Sequence, residues 1–184
     1  MPTQYLMPTF DAPSSLAWVA VGESTRHECL DDIDGDTSYV KCSANGRSMI
    51  IGYINPSEIA PPHGNYTDAF EEHEVGSITS VRFWSQGRHT GRTGTADVDI
   101  SFQSPTAGFS ETAQYNASPS AYTAVFGTTR TTSDGSNPWT YADLEALTMK
   151  CTKNGTNEVR LSTLWLEVVW VRADGKAPFF GANF

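Results

Sequence analysis

The acidic segment Asp31-Asp32-Ile33-Asp34-Gly35-Asp36 is the strongest candidate for a binding site in the sequence. Alternate carboxylates around a glycine turn can gather oxygen ligands for Ca²⁺, so Asp32, Asp34 and Asp36 are candidate calcium ligands. An EF-hand loop counted from Asp32 requires a bidentate acid where Ser43 stands, which leaves the pattern incomplete. The favoured interpretation is an Asx-type turn that leads into the next strand.

Two pairs of carboxylates could hydrolyse a glycosidic bond: Glu158 with Glu167, and Asp97 with Asp99. Glycosidases hold two carboxyl groups either about 5 Å or about 6.5 to 9.5 Å apart. Asp97 and Asp99 alternate with apolar residues, however, as the outward residues of any half-exposed strand do. The sequence also has no GxSxG, HExxH or glycine-rich phosphate motif. We therefore predict that the protein is not an enzyme and uses no cofactor.

Aromatic and basic side chains could instead form binding surfaces. The tryptophans Trp84, Trp139, Trp165 and Trp170 could form a platform on which sugar rings stack, although packing between sheets is their commoner role. On a glycan-binding face, Trp84 and Tyr122 are the rings expected in solvent. A basic cluster of Arg82, Arg88, His89 and Arg92 predicts either local ion pairs or a contact with an acidic partner.

Charge and composition narrow the class of partner. The 184 residues carry a net charge of −9, which disfavours binding to nucleic acid and to anionic lipid. No stretch reaches the roughly 18 apolar residues of a membrane helix, and the first residues lack a signal-peptide pattern. We expect a protein made and kept in a cytosol, without a membrane partner. Cys29, Cys42 and Cys151 are odd in number and lack CxxC spacing, which predicts three buried free thiols.

Alternating apolar residues and frequent turn residues predict a single antiparallel β-domain. The predicted strands are Leu16 to Val21, Ser38 to Cys42, Ser48 to Ile54, Ser77 to His89, Ala96 to Gln103, Ser110 to Asn116, Tyr122 to Thr132 and Val159 to Arg172. Asn45-Gly46 is a strong hairpin signal, and Gly91 to Gly94 is predicted to join two strands into a second hairpin. The last strand is apolar on both faces, which indicates a central strand covered on both sides.

One helix is predicted near the C-terminal end. Thr140 is its predicted N-cap, with Asp143 three residues later to complete the cap. Leu144, Leu147 and Cys151 then share one helical face, so we expect the helix to end near Asn154-Gly155.

The chain ends predict two extended arms, residues 1–15 and 173–184, on either side of a sandwich domain of residues 16–172. Both arms carry apolar residues that are costly to leave in water. We expect them to pack on a neighbouring chain or along the domain's own sheet edge, and removal of residues 1–12 to leave a folded sandwich. The predicted assembly contacts are Tyr5, Leu6, Met7, Phe10, Arg88, Arg92, Phe179, Phe180 and Phe184.

Four segments, taken in order, resemble a layout found in small structural proteins of tailed bacteriophages. They are Leu16 to Trp18, Asp31 to Val40, Asn137 to Leu147 and Arg160 to Val171. In that family an Asp-rich "DTSY" turn precedes an early strand, a capped "PWT" helix lies near the end, and a long apolar strand closes a jelly-roll-like sandwich. The resemblance covers residues 16 to 172 and concerns the fold, so it assigns no functional residues.

The resemblance implies an all-β, antiparallel, jelly-roll-like β-sandwich with one short α-helix near the C-terminal end and extended terminal arms. It also implies a non-enzymatic virion protein, first of all a capsid decoration or cement protein that is assembled in the host cytoplasm. The implied partners are the major capsid protein or other virion proteins, with a homo-oligomer, preferably a trimer, as the assembly. The alternatives are a tail, neck or head-fibre accessory protein, and a glycan-binding β-sandwich module.

Overall fold

The computed structural model of the protein describes residues 3–12, 17–31, 37–53, 75–91, 95–103, 108–118 and 121–173. Within these ranges the elements are β1 (Thr3–Leu6), β2 (Phe10–Asp11), β3 (Val19–Val21), β4 (Tyr39–Cys42), β5 (Ser48–Gly52), β6 (Val75–His89), β7 (Thr95–Gln103), β8 (Gly108–Asn116), β9 (Thr123–Phe126), α1 (Tyr141–Glu145), β10 (Thr148–Lys153) and β11 (Val159–Arg172). Over these residues the protein is an antiparallel, jelly-roll-like β-sandwich with one short helix, which confirms the predicted fold class.

The described strands divide into two sheets that bury one hydrophobic core between them. The six-stranded sheet has the order β3-β4-β11-β6-β9, and β1 pairs with β11 as the sixth strand. The five-stranded sheet has the order β2-β5-β10-β7-β8. All pairings between these named strands are antiparallel, as expected for a sandwich with one solvated face on each sheet.

Strand β11 is the central strand of the six-stranded sheet. Along one edge it pairs with β6, and along the other it pairs with β4 and then with β1. In the gap between β4 and β1, the Leu164 N–H donates to the Leu30 carbonyl oxygen at 3.2 Å. Leu166 faces the core, while Trp165 on the opposite face is buried as well. This confirms the prediction of a central strand covered on both faces.

The three cysteines, all within the described residues, are free and buried, as predicted. Burial raises the pKa of each thiol, to about 12 for Cys151. Because the thiolate is the reactive form, these cysteines are structural core residues and not nucleophiles.

Two predicted hairpins are wrong in the same way. Strand β6 pairs with β11 and β9, whereas β7 pairs with β8 and β10 in the other sheet. The Asn45-Gly46 turn also joins strands of different sheets, with Gly46 at a φ of 71°. Alternation of apolar residues specifies which face of a strand is buried, but it does not identify the neighbouring strand. Two consecutive strands that lie in different sheets show the same alternation of apolar residues as two strands of one hairpin.

Helix α1 has the predicted cap but not the predicted length. The Asp143 N–H donates to Thr140 Oγ1 at 3.1 Å, and the Thr140 N–H donates to the Asp143 carboxylate at 2.9 Å. The helix nevertheless ends at Glu145, and Cys151 lies in β10. Strand β10 pairs with both β5 and β7, and these tertiary contacts override the helical spacing of the apolar residues.

The first described residues belong to the sandwich itself. Strand β1 joins the six-stranded sheet through β11, and β2 joins the five-stranded sheet through β5. Leu6 is 1% exposed within the core, and Met7 is buried too. Phe10 packs so closely on Gly52 that a Cβ atom there would lie 1.6 Å from its ring. A partner chain could therefore reach Leu6 and Met7 only after these strands had left their sheets.

Glu111 on β8 binds the segment that follows β9, through Thr128 and Arg130. Its carboxylate accepts the Thr128 N–H at 2.7 Å and pairs with Arg130. Burial alone would raise the pKa of Glu111, but the hydrogen bonds from Thr128 and Arg130 hold it below the ordinary value of 4.5.

We expect Glu111→Gln to lower the free energy of unfolding by about 1 kcal/mol at neutral pH. Because the folded-state pKa of Glu111 is lowered, its contribution is present above pH 4.5 and is lost as the pH falls through that lowered value. Urea unfolding at neutral pH and at about pH 3 measures the difference. Gln114→Ala, at an exposed position of the same strand, is the control. A difference that is equally large in acid would contradict this account of Glu111.

Candidate functional site

A row of three aromatic side chains crosses the outer face of the six-stranded sheet. Trp165 of β11 is the register partner of Trp84 of β6, which is in turn the partner of Phe126 of β9. The ring centroids are 4.8 Å apart for Trp165 and Trp84, and 6.1 Å apart for Trp84 and Phe126. We name Trp84, Phe126 and Trp165 the aromatic platform.

Strand alternation places the platform on the outer face. The residues on either side of Trp84 point inward: the Phe83 ring lies 6.3 Å from that of Phe102 in the other sheet, and Ser85 Oγ lies 2.7 Å from the Tyr115 hydroxyl. Val125, which precedes Phe126, also packs against the core. Because successive side chains of a strand point to opposite faces, Trp84 and Phe126 must point outward.

Exposure increases along the platform from the centre of the sheet to its edge. Trp165 is buried, and its Nε1–H donates to the Leu30 carbonyl oxygen at 3.1 Å. Trp84 is half-buried, whereas Phe126 on the edge strand is 51% exposed. Among the described residues, the only other exposed large hydrophobic residue is Val19. Trp165 is thus held in place by burial and a hydrogen bond, and the two rings beside it are accessible to solvent.

A polar cluster of Arg82, Glu167 and Tyr5 lies on the neighbouring row of the same face. Glu167 is the register partner of both Arg82 and Tyr5. The Arg82 guanidinium donates from Nε to Oε1 at 2.8 Å and from Nη2 to Oε2 at 2.9 Å, and the Tyr5 hydroxyl donates to Oε2 at 3.1 Å. Arg82 Cζ also lies 4.7 Å from the centroid of the Phe126 ring. The platform is therefore bordered by fixed hydrogen-bonding groups.

The indole N–H of Trp84 has no hydrogen-bond partner within the part of the chain that the structure describes. An enclosed donor without a partner costs about 1 to 3 kcal/mol. Because this nitrogen is enclosed, Trp84 offers a ligand its ring surface and not a hydrogen bond.

The other predicted surface residues are less accessible. Arg88 is 4% exposed, its Nη1 donates to the Ser118 carbonyl oxygen at 3.0 Å, and its Cζ lies 5.2 Å from the Tyr122 ring centroid. Arg88 therefore covers part of the Tyr122 ring and offers little surface of its own. Trp139 and Trp170 are packed in the core, so neither contributes to a sugar-stacking surface.

The structure separates one of the two carboxylate pairs and occupies Asp99 of the other with hydrogen bonds. Glu158 and Glu167 are nine residues apart along an extended strand, which separates them by roughly 30 Å. Each is also in an ion pair, Glu158 with Arg160 and Glu167 with Arg82. Asp99 accepts hydrogen bonds on both oxygens, from the Thr112 hydroxyl and the Asn154 side chain.

Several candidate residues lie outside the described residues: the calcium candidates Asp32, Asp34 and Asp36, the basic Arg92, and the aromatic Phe179, Phe180 and Phe184. In the described ranges, no three His, Cys, Asp or Glu side chains group as a metal site. Nor does any helix there have the length and apolar character needed to cross a membrane.

Comparisons with known proteins identify no family. No protein-family model and no curated protein matches the sequence. Solved structures with some similarity are carbohydrate-binding modules. A family 16 carbohydrate-binding module has 14% identity, a TM-score of 0.38 and coverage of 82% of this chain and 84% of its own. The CBM22-1 xylan-binding domain of Paenibacillus barcinonensis Xyn10C has 12% identity, a TM-score of 0.40 and coverage of 91% of this chain and 96% of its own. TmCBM61, solved with β-1,4-galactotriose, has 8% identity, a TM-score of 0.37 and coverage of 90% of this chain and 87% of its own. At these TM-scores we draw no conclusion from them about what the chain binds.

Sequence reasoning named Trp84 and Trp165 but missed Phe126, the most exposed ring of the platform. Phe126 lies in the predicted strand Tyr122 to Thr132, where its outward position follows from alternation with Val125. From the sequence, Arg82 belongs to a basic cluster and Glu167 to a carboxylate pair. Only the pairing of β6 with β11 places the two side by side.

Proposed function

We propose that the protein is a non-catalytic glycan-binding module whose binding surface is the aromatic platform with its bordering polar cluster. The observation that carries the proposal is the position of Trp84 and the exposed Phe126, side by side on the outer face and next to the Arg82–Glu167 pair. A sugar ring has an apolar face of C–H groups and a rim of hydroxyl groups. Aromatic rings match the face, and fixed hydrogen-bonding groups match the rim.

The size of the platform favours a small ligand over a protein partner. A specific protein interface buries about 1,200 to 2,000 Å² in total, whereas two partly exposed rings supply only a fraction of that. Single-stranded nucleic acid also stacks on aromatic rings, but it requires a positively charged groove. A net charge of −9 opposes that ligand.

A glycan array combined with intrinsic fluorescence tests the proposal. Of the five tryptophans, all of which are described, Trp84 alone is not buried. A bound sugar should therefore change the fluorescence of Trp84 and leave the other four indoles largely unaffected. Trp84→Phe keeps a ring at this position, so it should still bind on the array while most of the fluorescence change disappears. A folded protein that leaves a broad array of plant, microbial and animal glycans blank would rule out the proposal.

The virion role implied by the resemblance stays a prediction, as do its partners, its trimeric state and its location. The implied positions are those of a capsid decoration protein and of a tail, neck or head-fibre protein. A glycan-binding module is compatible with any of these positions on a particle, so the two expectations are not exclusive.

A further inference from the structure

We infer that the aromatic platform selects neutral glycans over glycans that carry carboxylate or sulfate groups. This inference rests on the proposed function and specifies the class of ligand. Arg82 is a cation in contact with a platform ring, with its Cζ 4.7 Å from the Phe126 ring centroid. The electrostatic attraction of an anionic sugar to the platform therefore depends on how far neighbouring groups compensate the positive charge of Arg82.

Glu167 already compensates the charge of Arg82. The two side chains form a bidentate pair, with N···O distances of 2.8 and 2.9 Å, in which the Glu167 side chain is 11% exposed. Paired groups of this kind are strong and geometrically fixed. An anion that approaches Arg82 must therefore also approach the carboxylate of Glu167, and attraction and repulsion largely cancel.

The remaining hydrogen-bonding capacity of the pair suits uncharged sugar oxygens. Glu167 accepts hydrogen bonds from Arg82 Nε, Arg82 Nη2 and the Tyr5 hydroxyl, so its oxygens are largely occupied. The hydrogen bonds of Arg82 among the described residues come from Nε and Nη2, so Nη1 is available as a donor, and the Arg82 side chain is 32% exposed. The pair thus presents N–H donors without net charge, which match hydroxyl and ring oxygens.

The charge of the whole chain acts in the same direction. With 21 acidic and 12 basic residues, the protein repels a polyanion before contact. This repulsion is screened over about 8 Å at physiological ionic strength, so it adds to the local effect most strongly at low salt.

Matched pairs of neutral and acidic oligosaccharides test the inference. The probes are cellohexaose and its C6-oxidised form, carboxyl-reduced and native oligogalacturonide, and lactose and sialyllactose. For a backbone that binds, we expect the neutral member to bind at least about fivefold more tightly at low salt, because an acidic group loses hydration at the compensated pair without gaining a countercharge and is repelled by the net charge of −9. Glu167→Gln, which leaves Arg82 uncompensated, should shift the acidic-to-neutral affinity ratio by about fivefold towards the acidic member.

Glu158→Gln is the matched control, because Glu158 forms an ion pair with Arg160 at 3.0 Å and lies immediately before β11 begins. It removes the same charge far from the platform and should leave the affinity ratio unchanged. Tighter binding of acidic members by the unmodified protein, or an unchanged ratio in Glu167→Gln, overturns the inference while leaving glycan binding in place. If no glycan binds, on these probes or on the array, the proposed function itself fails and the inference falls with it.

Discussion

Replacing both Trp84 and Phe126 with alanine is expected to weaken glycan binding about 100-fold or more. Covering an aromatic side chain with the apolar face of a sugar contributes about 1.5 to 3 kcal/mol when the ring is fully buried, and each 1.4 kcal/mol corresponds to a tenfold change in affinity. The two rings together therefore supply most of the binding free energy of a small sugar ligand. Isothermal titration with the glycan that binds best on the array measures the loss.

The fold should survive this double replacement. Phe126 is 51% exposed and Trp84 half-buried, so little of the core is removed, and near-ultraviolet circular dichroism reports whether the remaining tryptophans keep their packing. Val19→Ala is the control, because Val19 is 47% exposed on the edge strand β3 of the same sheet, away from the platform. Retention of full affinity by the folded double variant would place the binding site elsewhere.

Removal of residues 1–12 is expected to unfold the protein or to lower its free energy of unfolding by more than about 4 kcal/mol. The deletion removes β1 from the six-stranded sheet and β2 from the five-stranded sheet. It also removes Leu6, whose replacement by alanine alone should cost about 2 to 5 kcal/mol, and Asp11, which pairs with Arg26 at 3.0 Å. This expectation replaces the one from sequence, in which the sandwich folded without these residues.

Point variants separate this effect from a general effect of truncation. Leu6→Ala should lower the urea midpoint markedly, whereas Thr3→Ala, at an exposed position of the same strand, should not. Urea unfolding followed by tryptophan fluorescence provides both measurements. An unchanged midpoint after deletion of residues 1–12 would show that β1 and β2 contribute little to stability.

Features that depend on one segment could be predicted from the sequence. The bounds of β11 follow from a run that is apolar on both faces, and the cap of α1 follows from Thr140 and Asp143, three residues apart. Both depend on side chains that are close together in the sequence, and their preferences for strand or helix-cap structure are the same in any fold. The buried free thiols could be predicted for a similar reason, because the number and spacing of cysteines limit their chemistry.

Features that depend on pairing between distant segments could not be predicted. The apolar alternation of β6 is satisfied equally by pairing with β7 or with β11, and only the complete set of packed strands decides between them. The candidate site is a product of that pairing, since Trp84, Trp165 and Phe126 become neighbours only through the register of three strands. No spacing within a single segment contains this information.

The central position of β11 also determines when during biosynthesis the platform can exist. Ribosomes deliver a chain from its first residue, yet Tyr5 has its hydrogen-bond partner 162 positions later, at Glu167. Until β11 emerges, β1, β4 and β6 lack the strand that joins them, and the nascent chain must keep these edges unpaired. Contacts so distant in sequence make folding slow, on the order of milliseconds to seconds. One of the three residues of the polar cluster, Glu167, and one ring of the platform, Trp165, arrive with β11, so a translation product that ends before β11 would lack both.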